Sequence, residues 1–269
     1  MNLPFSGLEA GFYDETVNDW PGEIDFYQEL AGEATAKGQT VLEIACGTGR
    51  VAARLAAKGA QVTGMDLTPD MLEIARKKSL GMPNVRWVEG NMRSFDLGER
   101  FGLALIPGHS FLFMLTPGDQ VSCLECIHNH LLPGGVLVVH LDHTELDWLG
   151  EIGGPKSKVF ETWKRTLRHP KTGNPVRISS AWSYERVTQT AIYYQIMEEL
   201  GSNGDILNRW EFEPKVMHCV FRFEMEHLLA RVGFEILAVY GDFLKHELNN
   251  DSSEMIYVVH RPPSGGLAS

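Results

Sequence analysis

Residues 41–50 read Val-Leu-Glu-Ile-Ala-Cys-Gly-Thr-Gly-Arg, an apolar run that ends in Gly47-Thr-Gly49 and continues into a helix-like segment. Gly47 and Gly49 let the backbone turn sharply and let a ligand approach with no Cβ in the way. The following helix N-terminus would offer free N–H groups to a negative ligand group. Asp66 lies 17 residues after Gly49, at the end of a second apolar run. A carboxylate there accepts hydrogen bonds from two ribose hydroxyls. Residues 47–52 also match G-x-G-x-x-A, so a dinucleotide, and with it an NAD(P)-dependent oxidoreductase, stays open at this point. Glu43 separates the two readings. An acid inside the strand, four residues before the first glycine, would face a pyrophosphate badly and the ammonium of a methionine moiety well. Its purely structural role would be an ion pair with Arg50.

Two further clusters could move protons. His109 and Ser110 follow the run 102–106, and His140, Asp142 and His143 end the run 135–141. In an open α/β sheet, ligands lie outside the carboxyl ends of the strands, where these residues fall. A histidine near neutral pKa suits a general base, which makes His109 the first candidate and His140 the second. Tyr13 and Tyr27 belong to an aromatic N-terminal segment that would cover the methionine end of a cofactor or line an acceptor pocket; Tyr13 is the third catalytic candidate. Cys123, Cys126, His128 and His130 have metal-ligand residue types, but they share one predicted helix and cannot all converge. His140, Asp142 and His143 lack an identifiable third carboxylate. No metal is expected.

These residues need elements to hold them. Residues 40–45, 61–65, 85–88, 102–106 and 135–141 read as strands apolar on both faces. Helical segments alternate with them at 48–58, 68–78 and 117–131, so βαβ units and a parallel sheet are expected. Thr68-Pro69-Asp70 places a capping hydroxyl before a proline at the first helical position. The pattern changes near Gly153-Gly154-Pro155. Strand-like stretches at 159–167, 176–187, 190–200 and 207–221 follow, with a hairpin turn at Ser202-Asn203-Gly204-Asp205. A helix over 222–232, capped by Gly233, and strands at 234–240 and 254–260 close the pattern. The expected organisation is an N-terminal cap at 1–35, a Rossmann-like core at 36–154 and 222–262, and an inserted antiparallel β lid at 155–221. The tail 262–269 is Pro/Gly/Ser-rich and expected to fray.

The stretch 43–49, Glu-Ile-Ala-Cys-Gly-Thr-Gly, resembles the first motif of class I S-adenosylmethionine-dependent methyltransferases, with Ala45 in place of its first glycine. Residues 62–72 resemble that family's acidic loop, and Glu89-Gly90-Asn91-Met92 its third motif, with Asn91 where an Asp usually stands. Leu131-Leu-Pro-Gly-Gly-Val resembles its turn into the fifth strand. The resemblance implies an α/β fold with a Rossmann-like seven-stranded, mostly parallel sheet, helices on both faces and one antiparallel edge strand, here carrying the inserted antiparallel β-subdomain. It implies S-adenosyl-L-methionine as cofactor. The residues it places around that cofactor are Tyr13, Tyr27, Glu43, Ala45, Cys46, Gly47 and Gly49, then Arg50, Asp66, Leu67, Met71, Asn91, Met92 and Ile106. It implies methyl transfer to an O or N atom of a small molecule; a repurposed, non-catalytic cofactor-binding protein is the other reading. Pro107-Gly108 stands where nucleic-acid amine methyltransferases carry an N/D-P-P-Y type signature, which points away from DNA or RNA.

Composition narrows the field further. The chain has 269 residues and a net charge of -11, so its surface as a whole repels nucleic acid and anionic membranes. No apolar run approaches the roughly 20 residues of a membrane-spanning helix. Residues 1–15 do not read as a signal peptide, and four cysteines are too few for a disulfide framework, so a cytoplasmic location is expected. The expected partners are a small-molecule acceptor, no nucleic acid and no membrane, with the chain as monomer or homodimer. Residues 155–222 hold 11 Lys/Arg against 7 Asp/Glu, while the remainder holds 13 against 28. Solvated lysines on strand faces account for this, or a lid that favours an anionic or polar substrate.

Overall fold

Strands that are apolar on both faces need cover on both sides. A computed structural model describes residues 7–263 and supplies that cover. The chain opens with α1 (Leu8–Thr16) and α2 (Glu23–Ala36), then alternates β1 (Val41–Ile44), α3 (Ala52–Ala57), β2 (Val62–Asp66), α4 (Pro69–Lys78) and β3 (Val85–Glu89). Next come β4 (Phe101–Ile106), a 3-10 turn (Ser110–Phe113), α5 (Pro117–His130), β5 (Leu131–Asp142) and α6 (Leu146–Ile152). A second group of strands follows: β6 (Glu161–Thr162), β7 (Leu167–Arg168), β8 (Pro175–Glu185), β9 (Thr190–Leu200), β10 (Ile206–Glu211) and β11 (Lys215–His218). The chain returns to the first sheet through α7 (Arg222–Val232), β12 (Glu235–Tyr240) and β13 (Glu254–His260).

The first sheet has seven strands in the order β12-β13-β5-β4-β1-β2-β3. Its pairs are parallel except around β13, which runs antiparallel to both β12 and β5. Alternate residues enter opposite cores, as the twofold strand period requires. Leu42, Ala104 and Val139 pack with Leu124 of α5 and Leu229 of α7. Val41, Leu103 and Val138 pack with Phe26 of α2 and Leu55 of α3. The second sheet is antiparallel around β8 and β9, which pair along their full length, with β10 and β11 both on β9.

Several expected elements differ in extent. Residues 48–51 form a turn rather than the first turn of a helix, so α3 is short. The stretch 159–167 carries only the two-residue strands β6 and β7, and Pro214 divides 207–221 into β10 and β11. Helix α6 had no clear periodic signal. Thr68 does precede Pro69 at the start of α4, but its hydroxyl turns to Asp66 instead of capping the helix. The tail beyond 263 and the first six residues lie outside the described residues.

Candidate active site

The carboxyl ends of β1, β2 and β3 face a cavity of about 590 Å³. Tyr13, Ala45, Gly47 and Asp66 line its floor, and Leu67, Met71, Asn91 and Met92 line one side. Ser110, Phe113 and Met114 form the next wall, and residues 211–216 at the β10–β11 connection close it from above. Asp66 is held by its own loop: its carboxylate accepts from Gly47 N and Thr68 N, both at 2.8 Å. Burial raises its pKa, and these N–H bonds work against that rise. Ala45 adopts φ 55°, a left-handed conformation that glycine takes at no steric cost, which explains why alanine is the unusual residue there. Gly47, at φ 54°, lies under the Tyr13 ring, 3.7 Å from where a Cβ would stand.

The cavity fits a nucleoside with an amino-acid tail. Asp66 is an acid at a strand end beside apolar Leu67 and Met71, suited to ribose hydroxyls and to an adenine face. Asn91 fits the adenine amino group less well than the sequence implies. Its Oδ1 already accepts from Arg93 N at 3.0 Å and from Arg93 Nε at 3.3 Å.

Six expected cofactor residues do not line this cavity. Glu43 is buried in β1, where its Oε2 has no hydrogen-bond partner, and burial pushes its pKa up to about 8. Its surroundings are protein, including the charge of Arg50 and the N–H of Ala52. Arg50 itself is turned to the N-terminal helices, donating to Glu23 at 2.6 and 2.7 Å and to Asp19 at 2.6 Å. Gly49 makes room for protein rather than for ligand: a Cβ there would stand 2.4 Å from the Trp87 indole. Cys46 is buried between this loop and Gly64, Ile106 is in the core, and Tyr27 is fully buried against Phe26 and Phe243.

His109 and His140 are also not on this cavity. They meet on its far side, against a residue that sequence reasoning missed. Glu254, the first residue of β13, pairs in register with Asp142 of β5. Its Oε2 lies 2.6 Å from His109 Nε2 and 2.7 Å from His140 Nε2, and the two imidazole nitrogens are 3.2 Å apart. Trp20 Nε1 donates to Glu254 Oε1 at 2.7 Å. Burial raises the Glu254 pKa, but the two imidazoles outweigh it and hold the carboxyl down at about 2. Burial lowers His140 despite the same carboxylate. A charged residue opening the otherwise apolar run Met-Ile-Tyr-Val-Val was the available signal.

His109 lines a second cavity of about 440 Å³, together with Leu112, Met217 and His218. The 3-10 turn and β11 divide the two spaces: Ser110 and Val216 face the first, Leu112 and Met217 the second. The cationic excess of the insert faces neither. Of its Lys and Arg residues only Lys215 lines the first cavity, beside Glu211 and Glu213, and it is ion-paired with Glu9.

Comparisons with known proteins agree with this geometry. Residues 41–135, from β1 to the start of β5, match the family model described as a methyltransferase domain. A putative methyltransferase, YqeM, of Bacillus subtilis (strain 168) is 29% identical over 250 residues, 92% of this chain and 94% of that one. The chain carries a methyltransferase domain over residues 41–135. A dTDP-4-amino-2,3,4,6-tetradeoxy-D-glucose N,N-dimethyltransferase of Saccharopolyspora spinosa is 34% identical over 139 residues, 50% of this chain and 55% of the relative. The chain thus spans about half the length of the sugar dimethyltransferases it matches. The solved CcbJ methyltransferase of Streptomyces caelestis shares the fold, with a TM-score of 0.75 at 24% identity over 97% of this chain and 98% of that one. No helix among the described residues is long and apolar enough to cross a membrane. The glycine pattern that also suits NAD(P) no longer stands alone, because a matching domain surrounds it.

Proposed function

We propose that the chain transfers a methyl group from S-adenosylmethionine to a nitrogen or oxygen atom of a small molecule, in the cavity between the strand ends and residues 211–216. The observation that carries this reading is that single cavity, with Gly47 and Asp66 on one side and the β10–β11 connection on the other. The cofactor supplies an electrophilic methyl on a sulfonium whose leaving group is neutral. The protein's work is then to orient the two reactants and exclude water. Asp66, fixed by two backbone N–H groups, holds the ribose. Leu67 and Met71 cover the base, and residues 155–221 act as the lid over the core. Tyr13 lies over Gly47 with its pKa pushed up to about 12 by burial, so it works as a neutral phenol that positions the acceptor.

The sugar N,N-dimethyltransferases among the relatives favour nitrogen as the accepting atom. We include no nucleic-acid partner in this reading, on the strength of the net charge of -11, and a cytoplasmic location, on the strength of four cysteines that are all free. Isothermal titration with S-adenosylhomocysteine and with NADH tests the cofactor. Saturable binding of the first and none of the second is expected; binding of NADH alone would overturn the proposal. Methyl transfer to at least one member of a panel of amines and hydroxyl compounds separates an enzyme from a repurposed binding protein.

A further inference from the structure

His109, His140 and Glu254 bring three donor atoms of metal-ligand type to one point. The hydrogen bonds around them argue for protons instead. Gly108 N–H donates to His140 Nδ1 at 3.2 Å, which places the His140 proton on Nε2, where it is shared with Glu254. A metal at Nε2 would need that nitrogen bare and Nδ1 protonated toward an acceptor, and a backbone N–H faces Nδ1. His109 is turned the same way. Its Nε2 donates to the Glu254 carboxylate, so the lone pair is on Nδ1, which makes no hydrogen bond to the described residues. Its ring lines the second cavity.

That cavity is rich in acceptors. His143 donates through Nδ1 to Ser252 O at 2.7 Å, leaving a lone pair on Nε2. The Asp142 carboxylate accepts from Thr144 Oγ1 at 2.9 Å and keeps further lone pairs. His218 sits between two acceptors, with Nδ1 3.2 Å from Thr188 O and Nε2 2.9 Å from Glu224, so its N–H groups are already answered. Glu145 adds a second negative charge to the wall. Trp148 and Trp182 meet edge to face in its wall, ring centroids 5.3 Å apart and planes 75° apart. Lone pairs, carboxylates and indole faces together suit an organic ammonium group, which donates hydrogen bonds and is drawn to aromatic faces.

We propose that this second cavity is a binding site for a small primary amine, with His109 Nδ1 as its proton acceptor and Glu254 as the residue that orients His109. The amine enters as an ammonium between Trp148, Trp182 and Asp142. One N–H proton passes to His109 Nδ1, the amine keeps the lone pair, and the imidazolium left behind stays hydrogen-bonded to Glu254. The site does not depend on the cofactor, so it stands or falls separately from the reading above.

The test uses the full chain, labelled with ¹⁵N-histidine, without cofactor. Benzylamine is the probe and benzyl alcohol its neutral match. Saturable binding of benzylamine that moves the His109 Nδ1 resonance is expected, with the alcohol about tenfold weaker and Asp142→Asn lowering amine affinity by about tenfold. Retained S-adenosylhomocysteine affinity verifies that the variant is folded. Equal binding of the amine and the alcohol overturns the proposal even if the variant is unusable. So does stoichiometric Zn²⁺ binding that Glu254→Gln abolishes, because that would make the three side chains a metal centre. Failure of S-adenosylhomocysteine to bind would sink only the methyltransferase mechanism.

Discussion

Single side chains here carry charges whose surroundings set opposite pH dependences. Burial holds Glu43 up at about 8 against an ordinary 4.5, so the folded chain keeps a proton that the unfolded one releases. Stability then falls as pH rises from about 4.5 toward 8. Glu43→Gln should remove that slope, raising unfolding free energy at pH 8 by on the order of 2 kcal/mol and changing little near pH 4, measured by urea titration. Glu254 has the opposite sign. Held at about 2, it stabilises the fold above 4.5, and that contribution is lost as pH falls toward 2, so Glu254→Gln should flatten the acid side of the profile. Asp66 bears on the ligand. Asp66→Ala should weaken S-adenosylhomocysteine binding by roughly 3 kcal/mol, the scale of two charge-assisted hydrogen bonds, and an unchanged dissociation constant would remove it from the site.

Among the elements, the β1–α3 connection is where the sequence was most legible and also where it misled. Its glycines announce a turn against a ligand, and Gly47 does line the cavity. Gly49 answers instead to Trp87 on β3, a neighbour that only the sheet order brings there. Gly49→Ala, with φ at +75° and the indole in the way, should cost about 3 kcal/mol in thermal unfolding through left-handed strain and overpacking. Periodicity located β9 and β13 to the residue because alternation and turn signals are local. Glu254 escaped because its importance depends on β13 lying antiparallel beside β5, so that two histidines distant in sequence reach one carboxylate. Arg50 was legible as a partner of acids, but the acids are Glu23 and Asp19 on the N-terminal segment, which no spacing rule links to it.

For the molecule as a whole, the cofactor cavity is closed by two segments far apart in sequence. Glu9 on α1 and Lys215 on β11 both line it and form a buried ion pair there. Replacing both, Glu9→Gln with Lys215→Met, avoids stranding one buried charge. The double variant should release S-adenosylhomocysteine about tenfold faster in stopped-flow displacement, a loss of about 1.4 kcal/mol of closure. An unchanged off-rate would mean that the pair holds the fold and not the cavity. The sheet itself constrains how such a molecule can change over generations. Trp87 fills the space above both Gly49 and Gly64, and a Cβ at Gly64 would stand 2.4 Å from its ring. Gly64 has no left-handed backbone to defend, so its side chain is forbidden first by Trp87, with Cys46 Sγ at 3.1 Å the next neighbour. A lineage can therefore enlarge position 64 only after position 87 has shrunk. That fixes the order of two mutations, and it predicts that the two sites vary together among natural relatives.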